Sequence, residues 1–235
     1  MFYFNFQYIY ILIPAMLLAL YAQSKVQSTF RKYSNVRNSY GMTGAEAAQR
    51  LLNIAGIYDV RIERVGGNLT DHYDPGKKVL RLSDSVYGST SLAAIGVAAH
   101  ETGHAVQHAV GYAPLGLRSA LVPLTNISSR MAMPMIIIGI LLGSQAGSGM
   151  GYALVQFGIV LFAVAVVFAL VTLPVEFNAS RRAVAMLGDN GILSGSELEP
   201  VKKVLSAAAL TYVASAAVAI ANLLRLVLLF GRRDD

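Results

Sequence analysis

Four long apolar stretches set the first limit on what this chain can become. Phe2 to Tyr21 carries no charge and is built largely of Phe, Tyr, Ile and Leu, long enough as a helix to cross a hydrocarbon core of about 30 Å. Met150 to Leu173 is also uncharged, and Val204 to Phe230 holds one charge, Arg225, near enough to its end to snorkel toward the interface. Leu121 to Leu142 is the weakest: it contains Asn126, Ser128, Ser129, Arg130 and two prolines, although Met131 to Leu142 is continuously apolar. A kinked or partly protein-buried span is expected there. With 55% hydrophobic and only 14% charged residues, the whole chain is too apolar for an ordinary soluble domain.

The expected fold class is therefore mainly α: a multi-pass helical membrane protein of about four transmembrane helices, with a small α+β cytoplasmic part. The boundaries fall at 1–22, 118–143, 149–173 and 204–230 for the spans, leaving 23–117 and 174–203 in water. A cleaved signal peptide is the alternative reading of the first run, but no Lys or Arg precedes it and no clear small-x-small site precedes Gln23. Lys25, Arg31, Lys32 and Arg37 follow that run, so the positive-inside rule places the amino terminus outside and the next segment in the cytoplasm. Four spans then put the Ser144 to Gly149 loop outside and return Arg181, Arg182, Lys202 and Lys203 to the cytoplasm. The tail, Arg232 and Arg233 before Asp234 and Asp235, fits this orientation poorly.

The net charge of +6 follows from basic segments beside anionic lipid, and no basic stripe interleaved with aromatics points to nucleic acid. The absence of cysteine excludes disulfides, thiolate metal sites and thiol catalysis.

Within the first aqueous segment, Thr43 to Gly56 reads as a helix with Thr43 as cap, Glu46 three residues on, and Gly56 as stop. YDVRIERV and KKVLRLS alternate apolar and charged residues on either side of the turn-rich GGNLTDHYDPG, which predicts a sheet of two or three strands. Ser89, Thr90 and Ser91 then introduce one helix that continues to Gly111 and Pro114, and AAHETGHAVQH lies in its middle.

That placement gives the histidine spacing its meaning. His100 and His104 are four apart, so on a helix their rings leave one face and can share a cation. Glu101 stands beside them, where a carboxylate can take a proton from an attacking water without being a ligand. His-Glu-x-x-His on a helix is the zinc-hydrolase pattern, against the plainer reading of a polar helix face. His108 lies two turns from His100, about 12 Å along the axis, and cannot join the same ion. It reads as a helix-end polar group or as a support for the ligands. Among the remaining carboxylates, Glu46 and Glu63 belong to an exposed helix and a strand, and Glu197 and Glu199 to a solvated loop, GSELEP. Glu176 begins an expected helix after Pro174, flanked by Val175 and Phe177 at the cytoplasmic end of the third span, where a carboxylate is costly without a partner. On spacing alone it is a candidate third ligand and no more.

HETGH with a downstream EFNAS and Arg-Arg resembles the YugP-like neutral zinc metallopeptidase family of membrane peptidases, distantly similar to the HtpX and Ste24 peptidases. The likeness covers nearly the whole chain, including GNLTDHYDP, VLRLS and PVEFNASRRA. It implies one Zn²⁺ per chain held by His100, His104 and Glu176, with Glu101 as general base and acid. In the HtpX and Ste24 relatives the glutamate motif continues to an Asp four residues later, whereas this chain has Ser180, which leaves Asn178, Arg181 or Arg182 to orient the site. By analogy with other zinc peptidases, the strand Val79, Leu80, Arg81, Leu82 would hold an extended substrate along its free edge. Candidates for stabilising the transition state are His72, Tyr73, Tyr212, Arg181 and Arg182. For His72 the simpler reading is a turn held by Asp71 and Asp74.

Two function classes follow: a membrane-bound endopeptidase acting on membrane or membrane-proximal proteins, or a non-proteolytic membrane scaffold retaining a structural zinc site. Expected partners are a peptide or protein substrate and the bilayer, with an oligomer or a membrane partner protein also compatible.

Overall fold

The computed structural model describes residues 6–143 and 149–231. The Ser144 to Gly149 loop, up to residue 148, and the charged tail from 232 onward lie outside them. A 3₁₀ turn, Phe6–Ile11, leads into α1 (Leu12–Ser34). There follow α2 (Gly44–Ile54), β1 (Arg61–Val65), β2 (His72–Asp74), β3 (Val79–Ser83), the short α3 (Asp84–Tyr87) and α4 (Leu92–Ala109). Three long helices complete the chain: α5 (Ala113–Leu141), α6 (Met150–Asp189) and α7 (Gly195–Phe230). The protein is thus mainly α, and among the described residues four helices are long and apolar enough to cross a membrane: Ile9–Ser34, Ala113–Leu141, Met150–Asp189 and Gly195–Phe230.

These helices outrun the apolar stretches that announce them. α5 continues through Pro123 and Pro134, α6 through Pro174 and α7 through Pro200. Glu176 consequently sits inside a continuous helix instead of opening a new one. GSELEP is likewise the first turn of α7, where Glu197 accepts hydrogen bonds from the Ser194 backbone and hydroxyl at 2.9 and 2.8 Å and from the Ser39 backbone at 2.7 Å. A Ser followed three residues on by Glu is an N-terminal capping signature, so this segment was never free loop.

The chain divides into two compact units. The first comprises residues 1–21, 117–172 and 212–235. Within it, Ile136, Val155, Ile159 and Leu226 form a buried cluster. A methyl group at Gly139 would lie 2.6 Å from the Gly151 carbonyl oxygen, and one at Gly151 would lie 2.7 Å from the Gly139 oxygen. Small residues let two apolar helices approach to backbone contact, which is how packing substitutes for the hydrophobic effect in lipid. Ile127, Ile137, Ile138, Phe157, Val160 and Val167 remain exposed, as lipid-facing side chains do.

The second unit comprises residues 22–116 and 173–211. Its α2 begins with a complete capping box: Thr43 Oγ1 accepts from the Glu46 backbone and Glu46 accepts from the Thr43 backbone. Gly56, at φ +70°, ends the segment in the left-handed conformation that suits glycine. The apolar face of α2 packs on α4 through two rows. Ala48 and Leu52 meet Ala94 and Ala98 in one core cluster, and Ala47 and Leu51 meet Leu92, Ile95 and Ala99 in the other. Ser91 caps α4 by accepting from Ala94 N at 3.1 Å.

The sheet order is β1-β3-β2, with β1 parallel and β2 antiparallel to β3. β3 is therefore the central strand and has no free edge, which corrects the expectation that Val79, Leu80, Arg81 and Leu82 could pair with substrate. Both of its sides are taken, and Val79, Leu80, Leu82 and Ser83 are buried. Arg81 is consumed by cross-strand ion pairs, at 3.2 Å to Glu63 and 3.6 Å to Asp74. The outer edges belong to β1 and β2. GGNLTDHYDPG is not all turn, since its HYD forms β2. Asp74 then holds the following turn by accepting from Gly76 and Lys77 N at 3.0 and 3.1 Å. Asp71 instead reaches β3, accepting from Ser83 N and Oγ at 2.7 and 2.9 Å.

Candidate metal centre

α4 brings His100 and His104 onto one face, one turn apart, with their ring planes at 84°. The 173–189 part of α6 packs against that face and supplies Glu176, which is only 2% exposed. Glu176 Oε2 lies 3.1 Å from His100 Nε2 and 3.6 Å from His104 Nε2. Atoms bound about 2.1 Å from a tetrahedral zinc stand about 3.4 Å from one another, so these separations fit a shared ion. The donor set, two imidazoles and one carboxylate with no thiolate, is one that catalytic zinc sites use.

The far side of each ring is also held. His100 Nδ1 is 3.1 Å from Ser180 Oγ, and His104 Nδ1 is 3.0 Å from Gln107 Oε1. With Nδ1 engaged, each ring turns Nε2 toward Glu176, an arrangement typical of metal-binding histidines. Burial disfavours a charged His104. The hydrogen bond to Glu176, the Glu101 and Glu176 charges, and Gln107 outweigh it and raise its pKa above the ordinary value. The pocket thus favours a positive charge at this point, which suits a cation as well as a proton. Glu101, 8% exposed, follows His100 by about 100° around α4.

Close approach of α4 and α6 depends on the glycine of HETGH. A methyl group at Gly103 would lie 2.7 Å from the Ala179 carbonyl oxygen. Since that neighbour is backbone, the helices themselves must move to admit a side chain. Gly103→Val is expected to weaken zinc binding by about 10-fold or more, as small misplacements of supporting groups do. Titration of the purified variant with zinc against a chelator checks this, and wild-type affinity would show that the approach is not critical.

Among the remaining candidates, His72, Tyr73, His108, Asn178 and Arg182 make hydrogen bonds of their own. His108 bonds to the Tyr73 hydroxyl at 2.9 Å, away from the ligand pair. Burial, reinforced by Asp59 and Asp74, pushes the Tyr73 hydroxyl up to about 12, so it stays protonated. His72 contacts the Thr70 carbonyl through Nδ1 at 2.9 Å and Arg81 through Nε2 at 3.4 Å. Arg182 Nε donates to Asn178 Oδ1 at 2.8 Å, and Arg181 is exposed. Tyr212 lies on α7 in the first unit. Sequence reasoning passed over Gln107 and gave Ser180 no part. Position 107 followed His104 by one turn on the same face, and Ser180 followed Glu176 by one turn, so helical spacing was the signal available for both.

A curated relative, "Putative membrane protease YugP" of Bacillus subtilis (strain 168), is 50% identical over 229 residues, covering 97% of this chain and 99% of the relative. No solved structure matches the chain. Residues 8–231 match the family model described as "Putative neutral zinc metallopeptidase", and the chain belongs to that family.

Proposed function

We propose that this protein is a membrane-embedded, zinc-dependent endopeptidase that hydrolyses peptide bonds of membrane or membrane-proximal proteins, with His100, His104 and Glu176 as ligands and Glu101 as general base and acid. The observation that carries the reading is the convergence of two Nε2 atoms and one carboxylate oxygen, 3.1 and 3.6 Å apart, at a buried point next to a second carboxylate residue.

A bound zinc ion would polarise the substrate carbonyl and acidify a neighbouring water. Glu101 accepts the proton of the attacking water and returns it to the leaving amine. Burial of Glu101 and the ligands limits competing water, which strengthens each of these electrostatic interactions. An extended peptide would pair with an outer edge of the sheet, on β1 or β2, because β3 is enclosed.

The alternative is a membrane scaffold with a structural zinc. Structural sites use four protein ligands, whereas the cluster here has three, and structural zinc gives no task to Glu101. Purified protein with one zinc per chain should cleave an unfolded polypeptide, lose cleavage on chelation and regain it with zinc. Stoichiometric zinc without cleavage would favour the scaffold.

The distribution of basic residues supports a cytoplasmic site. Because the chain has no cysteine, one can be introduced at Tyr58, which is 79% exposed in the second unit. Tyr58→Cys should react with a membrane-impermeant maleimide only after cells are opened. Labelling of intact cells would reverse the orientation.

A further inference from the structure

Gln107 is fully buried, one turn beyond His104 on α4, and every polar atom of its amide has work. Nε2 donates to the Val175 carbonyl at 2.8 Å and to Asn178 Oδ1 at 3.0 Å. A backbone carbonyl can only accept, so the amide nitrogen must face α6, and Oε1 is left facing His104 Nδ1 at 3.0 Å. Oε1 also can only accept, so Nδ1 carries the ring proton and Nε2, which faces Glu176, keeps its lone pair. Asn178 is fixed from the other side, because its Oδ1 also accepts from Arg182 Nε at 2.8 Å. His100 differs: its Nδ1 meets the Ser180 hydroxyl, which both donates and accepts and so permits either tautomer.

We propose that Gln107 is a positioning residue that locks His104 in the Nδ1–H tautomer and ties it to the turn of α6 carrying Glu176. Asn178 and Arg182 act through it, holding its amide in the one orientation that serves His104. The proposal rests on the reading of this cluster as a zinc centre. It makes the site depend on a contact between residues 68 positions apart, Gln107 and Val175, that neither ligand makes itself.

The test uses the full-length purified chain stripped of metal, with zinc affinity measured against a chromophoric chelator. Gln107→Met, which keeps the volume and loses both polar functions, should bind zinc about 10–100-fold more weakly. Gln107→Glu keeps an oxygen that accepts from Nδ1 but loses the donor to the Val175 carbonyl and Asn178, so it should also bind about 10-fold more weakly than wild type. The cobalt(II) absorption band of both variants should shift from that of wild type. Either variant binding zinc like wild type overturns the proposal. A readout on wild type needs no variant to fold: ¹⁵N histidine spectra of the metal-free protein, with the ring neutral, should show the His104 proton on Nδ1. A proton on Nε2 overturns it equally. Wild type that binds no zinc at all would instead refute the zinc reading itself.

Discussion

Glu101→Gln is expected to lower peptidase activity by about 10²–10⁴-fold, the usual contribution of a positioned general base, while zinc content stays at wild-type level. The substitution keeps the shape of the side chain and removes only its ability to take a proton. Glu101 is outside the ligand set of His100, His104 and Glu176, so the metal should remain. Glu101 is buried beside the ligand-bearing face of α4, 8% exposed. Cleavage of an unfolded polypeptide, measured beside zinc content in the same preparation, checks both halves. Undiminished activity would remove Glu101 from the mechanism.

Glu176→Ala should behave in the opposite way, losing the metal and the activity together. Glu176 is the one carboxylate in the cluster, and without it two buried imidazoles face each other with no anionic ligand. Loss of a direct ligand should exceed the 10–100-fold typical of supporting residues, so zinc affinity should fall by more than about 100-fold. Circular dichroism should retain the helical signal, because Glu176 lies within the long helix α6 and is no cap. Unchanged zinc binding would refute the ligand assignment. Taken as a pair, the two variants separate proton transfer from metal binding.

How much of this was legible in the sequence depended on the range of the interaction. Spans, capping box and the α4 helix are local patterns: runs of apolar residues, Thr43 with Glu46, and Ser91 ahead of an apolar helix each report on their own neighbourhood. The histidine pair was legible for the same reason, since four residues along a helix is one turn. Strand order was not. Val79 to Ser83 alternates like any strand, and nothing within it says that β1 and β2 will flank it on both sides. Pro174 misled in a different way. A proline commonly opens a helix, but inside a long apolar helix its missing N–H is tolerated, and α6 runs on to deliver Glu176 from its interior. The supports of the site were the least legible part. Ser180 meets His100 across 80 residues and Gln107 meets Val175 across 68, and only the packing of α4 on α6, allowed by Gly103, brings them together.

The central claim is that one ion is held by two imidazoles and a carboxylate. Zinc X-ray absorption of the purified wild-type chain tests it most directly. The account predicts a four-coordinate shell of nitrogen and oxygen at about 2.0–2.1 Å, with the scattering signature of two imidazoles. Since the chain has no cysteine, no sulfur should appear. A shell with one imidazole or none, or a protein that retains no zinc, would contradict it.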